Sequence, residues 1–497
     1  MRSSAIAAVE RVRWQPVLAV LAVGVGALVL GPEMLTALLV GVTGAMIVAV
    51  RPQWGVGLIL FLLMVQYGSR RYDRGGLAGV MAILVPQGSG LLTPNNLLGL
   101  FLAMLLLYQL YLNGDWSFLQ SRILQLMLAI TAVLVFSAFV SGVTLAEQAE
   151  VGVMATSAQD PSRLLISRAL FLVLFVFFIR TPSDLRTIVF LFVMLALLTA
   201  WSGSGAAVTD TGRAEVSTYR AGGTDVLIES TQNPNRLAMI ATLGLVFIWE
   251  YSQAFNMRRW LRWSAIALAA LMVITVFLSA SRGGLIGLVV ASLLLFVRRR
   301  GGSSRVIYAT ALVLVAGALV QQVVPPQAME RITNIPGLRT ADANAAGEGS
   351  IERREYTYDI GLKIWKQAPI VGVGPGNWPY VRFMTDPLRS AAAAHNSYLA
   401  VLAEGGLLTL GLYMLLFYIV IRDLLRLERS QAVVARAKQE GLEWLIASTR
   451  ICLIAFMVFS LFADLWDLVF SYFLLGTSAV LIRRYRPMTP AAAMVPA

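Results

Sequence analysis

At 497 residues, with 58% hydrophobic and only 13% charged residues, the chain lies outside the composition of soluble domains and reads as an integral membrane protein. Its formal net charge of +13 does not make it a nucleic-acid binder, because the arginines sit between apolar runs, where they set topology and meet anionic headgroups. One histidine and one cysteine exclude a zinc site and an intrachain disulfide, although an oxygen-only Mg²⁺ or Mn²⁺ site stays open.

The N-terminus has a basic start and an apolar run without a clear small-residue cleavage site, so it reads as an uncleaved first span. Apolar runs near 17–31, 35–50, 54–67, 95–112 and 123–143 come first. Those near 164–179, 187–206, 237–255, 264–280, 283–297 and 306–324 follow, and 398–421, 450–466 and 468–482 close the chain. With about 20 residues needed to cross a bilayer, this predicts an all-α polytopic fold of about 14 transmembrane helices. Arg2, Arg11 and Arg13, then Arg51, Arg180, Arg186, Arg258, Arg259, Arg262, Arg298 to Arg300, Arg422 to Arg429 and Arg483 to Arg486 fall on one side, which is therefore cytoplasmic and holds both termini. Loops 68–94, 144–163, 207–235 and 325–397 face outward, and the basic cluster at 69–74 runs against the rule. Segment 422–449 reads as an amphipathic surface helix, and the tail 486–497 as disordered.

The outward loop 325–397 is the long polar interruption, and it carries the only histidine, His395, at its junction with the next apolar run. If Asn396 or Ser397 caps that run, the imidazole stands just outside a helix N-terminus, where the dipole favours the neutral ring and general-base chemistry. The plainer reading is an interfacial histidine bonded within its loop. Arg282, in SASRGG, lies between two apolar runs, where a cation needs an anionic partner or snorkels at a glycine turn. Arg236 follows the Asn233-Pro234-Asn235 helix start, a poor place for a cation unless it meets phosphate, of a substrate or of a headgroup. Arg354 precedes the apolar spacing of Tyr358, Leu362 and Trp365, which predicts an amphipathic helix ending before Pro369. Gly372, Gly374 and Gly376 read as a tight turn, since no strand precedes them and Pro375 interrupts any nucleotide-loop pattern. Glu404 stands nine residues after His395, about 13 Å deeper along a helix, with Gly405, Gly406 and Gly411 expected to allow close helix packing. Asp464 and Asp467 read as a polar turn at the tip of the last hairpin.

NPNRLA at 233–238, SASRGG at 279–284, the Arg354 helix running into PIVGVGPGNW at 369–378, and HNSYLAVLAEGGLLTLGLY at 395–413 together resemble the O-antigen ligase and polymerase superfamily. The resemblance covers roughly residues 160–480 and implies a GT-C-like membrane glycosyltransferase, inverting, with no metal or other cofactor. It divides the chain into N-terminal transmembrane helices (1–160), a ligase-like core (161–482) that includes external loop 325–397, and a tail (483–497). It implies a donor glycan on undecaprenyl pyrophosphate, and an acceptor that is lipid A core, a growing glycan or a protein hydroxyl. The site would lie on the periplasmic face of a bacterial inner membrane. Carried onto this chain, His395 would activate the acceptor hydroxyl, Arg236, Arg282 and Arg354 would hold the pyrophosphate, and Asn235, Asn396 and Glu404 would support them. The run TADANAAGEGS at 340–350 departs from this pattern as a lid or a spacer. A lipid-linked oligosaccharide flippase is the rival from another class, although transporters place polar groups at the midplane and these residues lie at helix ends. Ser204 ahead of a lone histidine leaves an intramembrane protease as a third.

Overall fold

The computed structural model of the protein describes residues 46, 48–65, 94–141, 161–204, 234–255, 258–279, 281–298, 345–386 and 394–486. Every regular element among them is helical, as expected of apolar segments that must satisfy their own backbone groups. Helices α1 (Pro52–Val65), α2 (Pro94–Asn113), α3 (Arg122–Ser141), α4 (Pro161–Phe178) and α5 (Pro182–Ser204) come first. Then come α6 (Pro234–Ala254), α7 (Arg259–Leu278) and α8 (Arg282–Arg298), and α9 (Ala345–Gln367) and α10 (Trp378–Thr385) lie in the polar loop. The chain closes with α11 (Ser397–Arg429), α12 (Gln431–Gln439), α13 (Glu443–Phe459) and α14 (Val469–Tyr485). Proline opens α1, α2, α4, α5 and α6, at the helical position where a missing amide donor costs nothing.

Helices α3, α6, α7 and α11 and the Pro182–Ala200 part of α5 are long and apolar enough to cross a membrane, and α12–α13, bent by 113°, would make a sixth span. Against the roughly 14 spans expected from run length, the described residues thus hold five or six. The runs near 17–31 and 306–324, and the basic cluster at 69–74, lie outside the described residues.

Helix α6 is the axis: Leu237 through Ile248 are all buried, the pattern of a helix surrounded by others. It packs on α5, α7, α8 and α13, and α14 packs on α4, α11 and α13. Phe192 of α5 stacks on Phe473 of α14 at 4.5 Å, and Phe247 of α6 meets that ring edge-on at 6.3 Å. Each such pair adds about 0.5–1.5 kcal/mol beyond its buried area. Helix α8 comes very close to α13: a β-carbon on Gly287 would stand 2.4 Å from the Phe459 ring, so the contact exists only without a side chain.

The expected amphipathic helix at 422–449 is instead three pieces, the end of α11, all of α12 and the start of α13. Ser430 caps α12, and Gly441 ends it with φ 67, a value that glycine adopts without strain. This rim is charge-paired. Arg298 meets Glu250 at 3.6 Å and Glu428 at 3.1 Å, and Arg450 reaches Glu428 at 2.9 Å, tying α6, α8, α11 and α13 together.

Glu440, at the α12–α13 corner, accepts from Arg484 Nε at 2.6 Å and from the Tyr485 hydroxyl at 2.7 Å. The Arg484 hydrogen bond holds its carboxyl down at about 2, against an ordinary 4.5. A depressed acid stabilises the fold above its unfolded pKa and loses that contribution as pH falls towards the folded one. The detergent-solubilised protein is therefore expected to lose thermal stability between 4.5 and about 2. Glu440→Gln should lower stability at pH 7 by about 1–2 kcal/mol and flatten that acid limb. Melting curves across pH check both, and an unchanged limb in the variant would exclude Glu440 as its source.

Candidate active site

The turn between α13 and α14, residues 460–468, carries the site, because its backbone receives the starts of two other helices, α6 and α11, and α8 joins them through α6. The Ser397 amide donates to the Ser460 carbonyl at 2.8 Å. The Ser397 hydroxyl donates to the Ala463 carbonyl at 2.9 Å and accepts from the Leu465 amide at 2.8 Å. Asn235 Nδ2 donates to the Phe462 carbonyl at 3.1 Å, and Arg236 Nη2 reaches the Asp464 carbonyl at 3.5 Å. The Ser281 hydroxyl donates to Asn235 Oδ1 and accepts from the Gly284 amide at 2.8 Å, so one serine caps α8 and ties it to α6. The first turns of α6, α8 and α11 therefore meet around one loop, and they bring Arg236, Arg282 and His395 with them.

His395 is exposed and takes φ 50, the one positive φ outside glycine among the described residues. The turn is held by its neighbour. Asn396 caps α11, with Oδ1 accepting from the amides of Tyr398 at 2.9 Å and Leu399 at 3.1 Å, while its Nδ2 donates to the Tyr358 hydroxyl at 2.9 Å. Arg354 lies one helical turn before Tyr358 on α9. Within the polar loop, the Tyr356 hydroxyl donates to Asp386 at 2.5 Å and lies under the Arg382 guanidinium, 5.4 Å from the ring centroid, which joins α9 to α10. Burial and the Asp386 bond push that hydroxyl's pKa up.

Three helix N-termini and two arginine-bearing first turns at one rim are an arrangement suited to an anion of high charge, while an exposed imidazole beside them can take a proton. Asp464 belongs to the same loop. Burial and the Asp467 carboxylate push its carboxyl upward, the Arg236 charge opposes them, and its Oδ1 is buried without a hydrogen-bond partner. No group of three or more His, Cys, Asp or Glu side chains placed to hold a metal ion occurs among the described residues.

Glu404 is buried, with Oε1 accepting from the Trp378 amide, beside the glycine turn, at 3.2 Å. Next to it α11 breaks. Gly406 takes φ 68 and ψ −174, and the 369–374 backbone enters the gap. The amides of Val373 and Gly374 donate to the Ala403 and Glu404 carbonyls at 3.0 Å each. The amides of Leu407 and Leu408 donate to the Pro369 and Ile370 carbonyls at 2.9 and 3.2 Å. Each of these groups, left buried and unpaired, would cost about 1–3 kcal/mol. Gly406 thus serves a break rather than a helix contact, a β-carbon on Gly405 would meet Thr409 of the same helix, and Gly411, expected to share in packing, has nothing within 4 Å of a β-carbon.

Sequence reading missed the anchors. Ser397 reads locally only as a possible cap, and Ser281 and Ser137, whose hydroxyl donates to the carbonyls of Gly372 and Glu404, carry no local signal of partners so distant in sequence. Arg168 had one: an arginine inside the 164–179 apolar run is costly unless it serves a purpose. It is buried on α4 and donates from Nε to the Asp467 carbonyl at 3.3 Å, bracing the same loop from behind.

Residues 267–414 match the family model described as O-antigen ligase. Arg282, Arg354, His395, Asn396 and Glu404 fall inside that segment, whereas Asn235, Arg236 and Asp464 lie outside it. No curated protein matches the chain.

Proposed function

With the chain a member of the O-antigen ligase superfamily, we propose that it is an inner-membrane glycosyltransferase of GT-C type, moving a glycan from undecaprenyl pyrophosphate to an acceptor hydroxyl. The observation that carries this is the shared turn at 460–468, which draws the arginine-bearing starts of α6 and α8 and the histidine-bearing start of α11 to one place. His395 takes the proton of the acceptor hydroxyl as its oxygen attacks the anomeric carbon from the face opposite the leaving group. The bond from that carbon to the pyrophosphate oxygen breaks, and its electron pair stays on the pyrophosphate. Arg236, Arg282 and Arg354 neutralise the charge that develops there, which guanidinium groups do without a metal ion. The exposed imidazole then gives its proton to solvent, and Asp464 accepts from a hydroxyl of the incoming acceptor. The site opens to the periplasm, in a multi-pass protein with both termini in the cytoplasm.

The same residues serve a ligase and a polymerase, and ligase is the reading adopted. In the test, purified protein receives an undecaprenyl pyrophosphate-linked oligosaccharide, with and without lipid A core, in the presence of EDTA, and products are separated by size. Transfer to the core is the expected result. A ladder on the carrier without core would make the protein a polymerase, and no movement of glycan to any acceptor would leave the flippase reading in its place.

A further inference from the structure

The break in α11 connects the polar loop to the histidine turn by a continuous chain of contacts. The turn 368–377, which leads from α9 to α10, is threaded through the gap at Gly406, so both loop helices hang from it. The approach is backbone to backbone: a β-carbon on Gly372 would stand 2.3 Å from the Glu404 carbonyl, and one on Gly406 would stand 2.2 Å from the Ile370 oxygen. Glu404 closes the junction from the side, accepting from the Trp378 amide at the first residue of α10 with the Gly376 amide in reach of the same carboxyl. Ser137 of α3 closes it from behind. From the far end of this assembly α9 leans on the start of α11. Gly361 lies where a β-carbon would meet the Leu399 side chain at 2.8 Å, and Tyr358 accepts from the Asn396 that caps the helix next to His395.

We infer that Glu404 is a positioning residue: its carboxyl locks the glycine turn into the broken helix and so holds α9 against the Asn396 cap that sets the His395 turn. It works as a hydrogen-bond acceptor for backbone amides and takes no proton in the reaction. The consequence for turnover rests on the glycosyltransferase reading, but the lock itself does not. Arg236 and Arg282 stand on other helices, α6 and α8, whereas Arg354 rides on α9, so loosening the junction should displace the histidine turn and Arg354 together and leave the other two arginines in place.

The lysines allow a direct test. Lys363 and Lys366 are exposed on α9, and Lys438, the third lysine of the chain, is exposed on α12 at the opposite rim. A lysine-specific protease therefore reports the opening of α9 against an internal control in the full-length protein in detergent. Glu404→Ala is expected to speed cutting at Lys363 and Lys366 by roughly tenfold or more, because cleavage follows the population of the locally opened state. Cutting at Lys438 should keep its rate. Glu404→Gln, which retains an acceptor oxygen, should be cut like the parent protein. Ser137→Ala removes a second tie of the junction and should speed the same two cuts by roughly threefold. It decides the matter if Glu404→Ala does not fold. In the transfer assay Glu404→Ala should lower kcat by roughly tenfold or more, the pattern of a misplaced base, with a smaller rise in donor KM because Arg354 rides on the same loosened helix, and Glu404→Gln should restore both.

Unchanged cutting at Lys363 and Lys366 in both Glu404→Ala and Ser137→Ala overturns the lock. So does a Glu404→Gln protein as inactive as Glu404→Ala with normal cutting, which would make the carboxyl a chemical participant. If the parent protein transfers no glycan, the functional reading fails and the protease comparison alone still decides the lock.

Discussion

His395→Ala is expected to lower glycosyl transfer by about 10²- to 10⁴-fold, the usual contribution of a positioned general base, with donor affinity retained. Both halves follow from where the residue stands. The imidazole is exposed immediately before α11, while the candidate phosphate ligands Arg236 and Arg282 stand on α6 and α8. The backbone gives a control against a purely structural role. At φ 50 a non-glycine residue is strained, and such strain costs of order 1–3 kcal/mol at functional sites. His395→Gly relieves the strain, so it should melt at or above the parent temperature while losing the same activity as His395→Ala. His395→Asn tolerates the same backbone and should also be inactive. Paired melting and turnover measurements on the three variants settle the role. Full activity in any of them would remove His395 from the chemistry, and a melting temperature that falls in step with activity in all three would make it a structural residue.

The second large effect belongs to the arginines. Arg236→Gln and Arg282→Gln should each reduce kcat/KM for the donor by about 10²- to 10³-fold, the cost of removing one preorganised charge from a developing anion. Lysine at either position should recover only part of this, since an ammonium offers a point charge in place of a bidentate fork. The double variant should fall short of the product of the two losses, because residues that grip one group act as a unit. Arg236 should show the mixed result. It also reaches the Asp464 carbonyl at 3.5 Å, so its loss loosens the shared turn and should lower stability as well as rate. Steady-state kinetics with donor and acceptor varied separately is the check. Variants whose defect appeared solely in acceptor KM would place these arginines on the wrong substrate.

Local features of the chain were legible without coordinates because their causes are local. Asn396 caps α11 through amides two and three residues ahead, Pro234 opens α6, and α9 ends at Gln367 just before Pro369. Apolar run lengths set out most of the described helices, and the motifs around Arg282, Arg354 and His395 lie in the segment that matches the ligase family. Helix periods, caps and prolines act over three or four residues, so a single sequence records them.

Tertiary structure alone decided what those features are for. Ser281 meets Asn235 across 46 positions, Ser397 meets Ala463 across 66, and Arg168 meets Asp467 across 299. Nothing in the spacing of these residues requires such pairs. The turn at 460–468 looked like the polar tip of a hairpin, and it is the element to which the starts of α6 and α11 are bonded. Gly405 and Gly406 looked like a packing surface, yet α11 breaks there, because a second segment arrives with the amides and carbonyls that fill the gap. A helix can be interrupted inside an apolar bundle only when another piece of chain completes its hydrogen bonds. Which piece does so depends on how the bundle folds, and no local pattern states it.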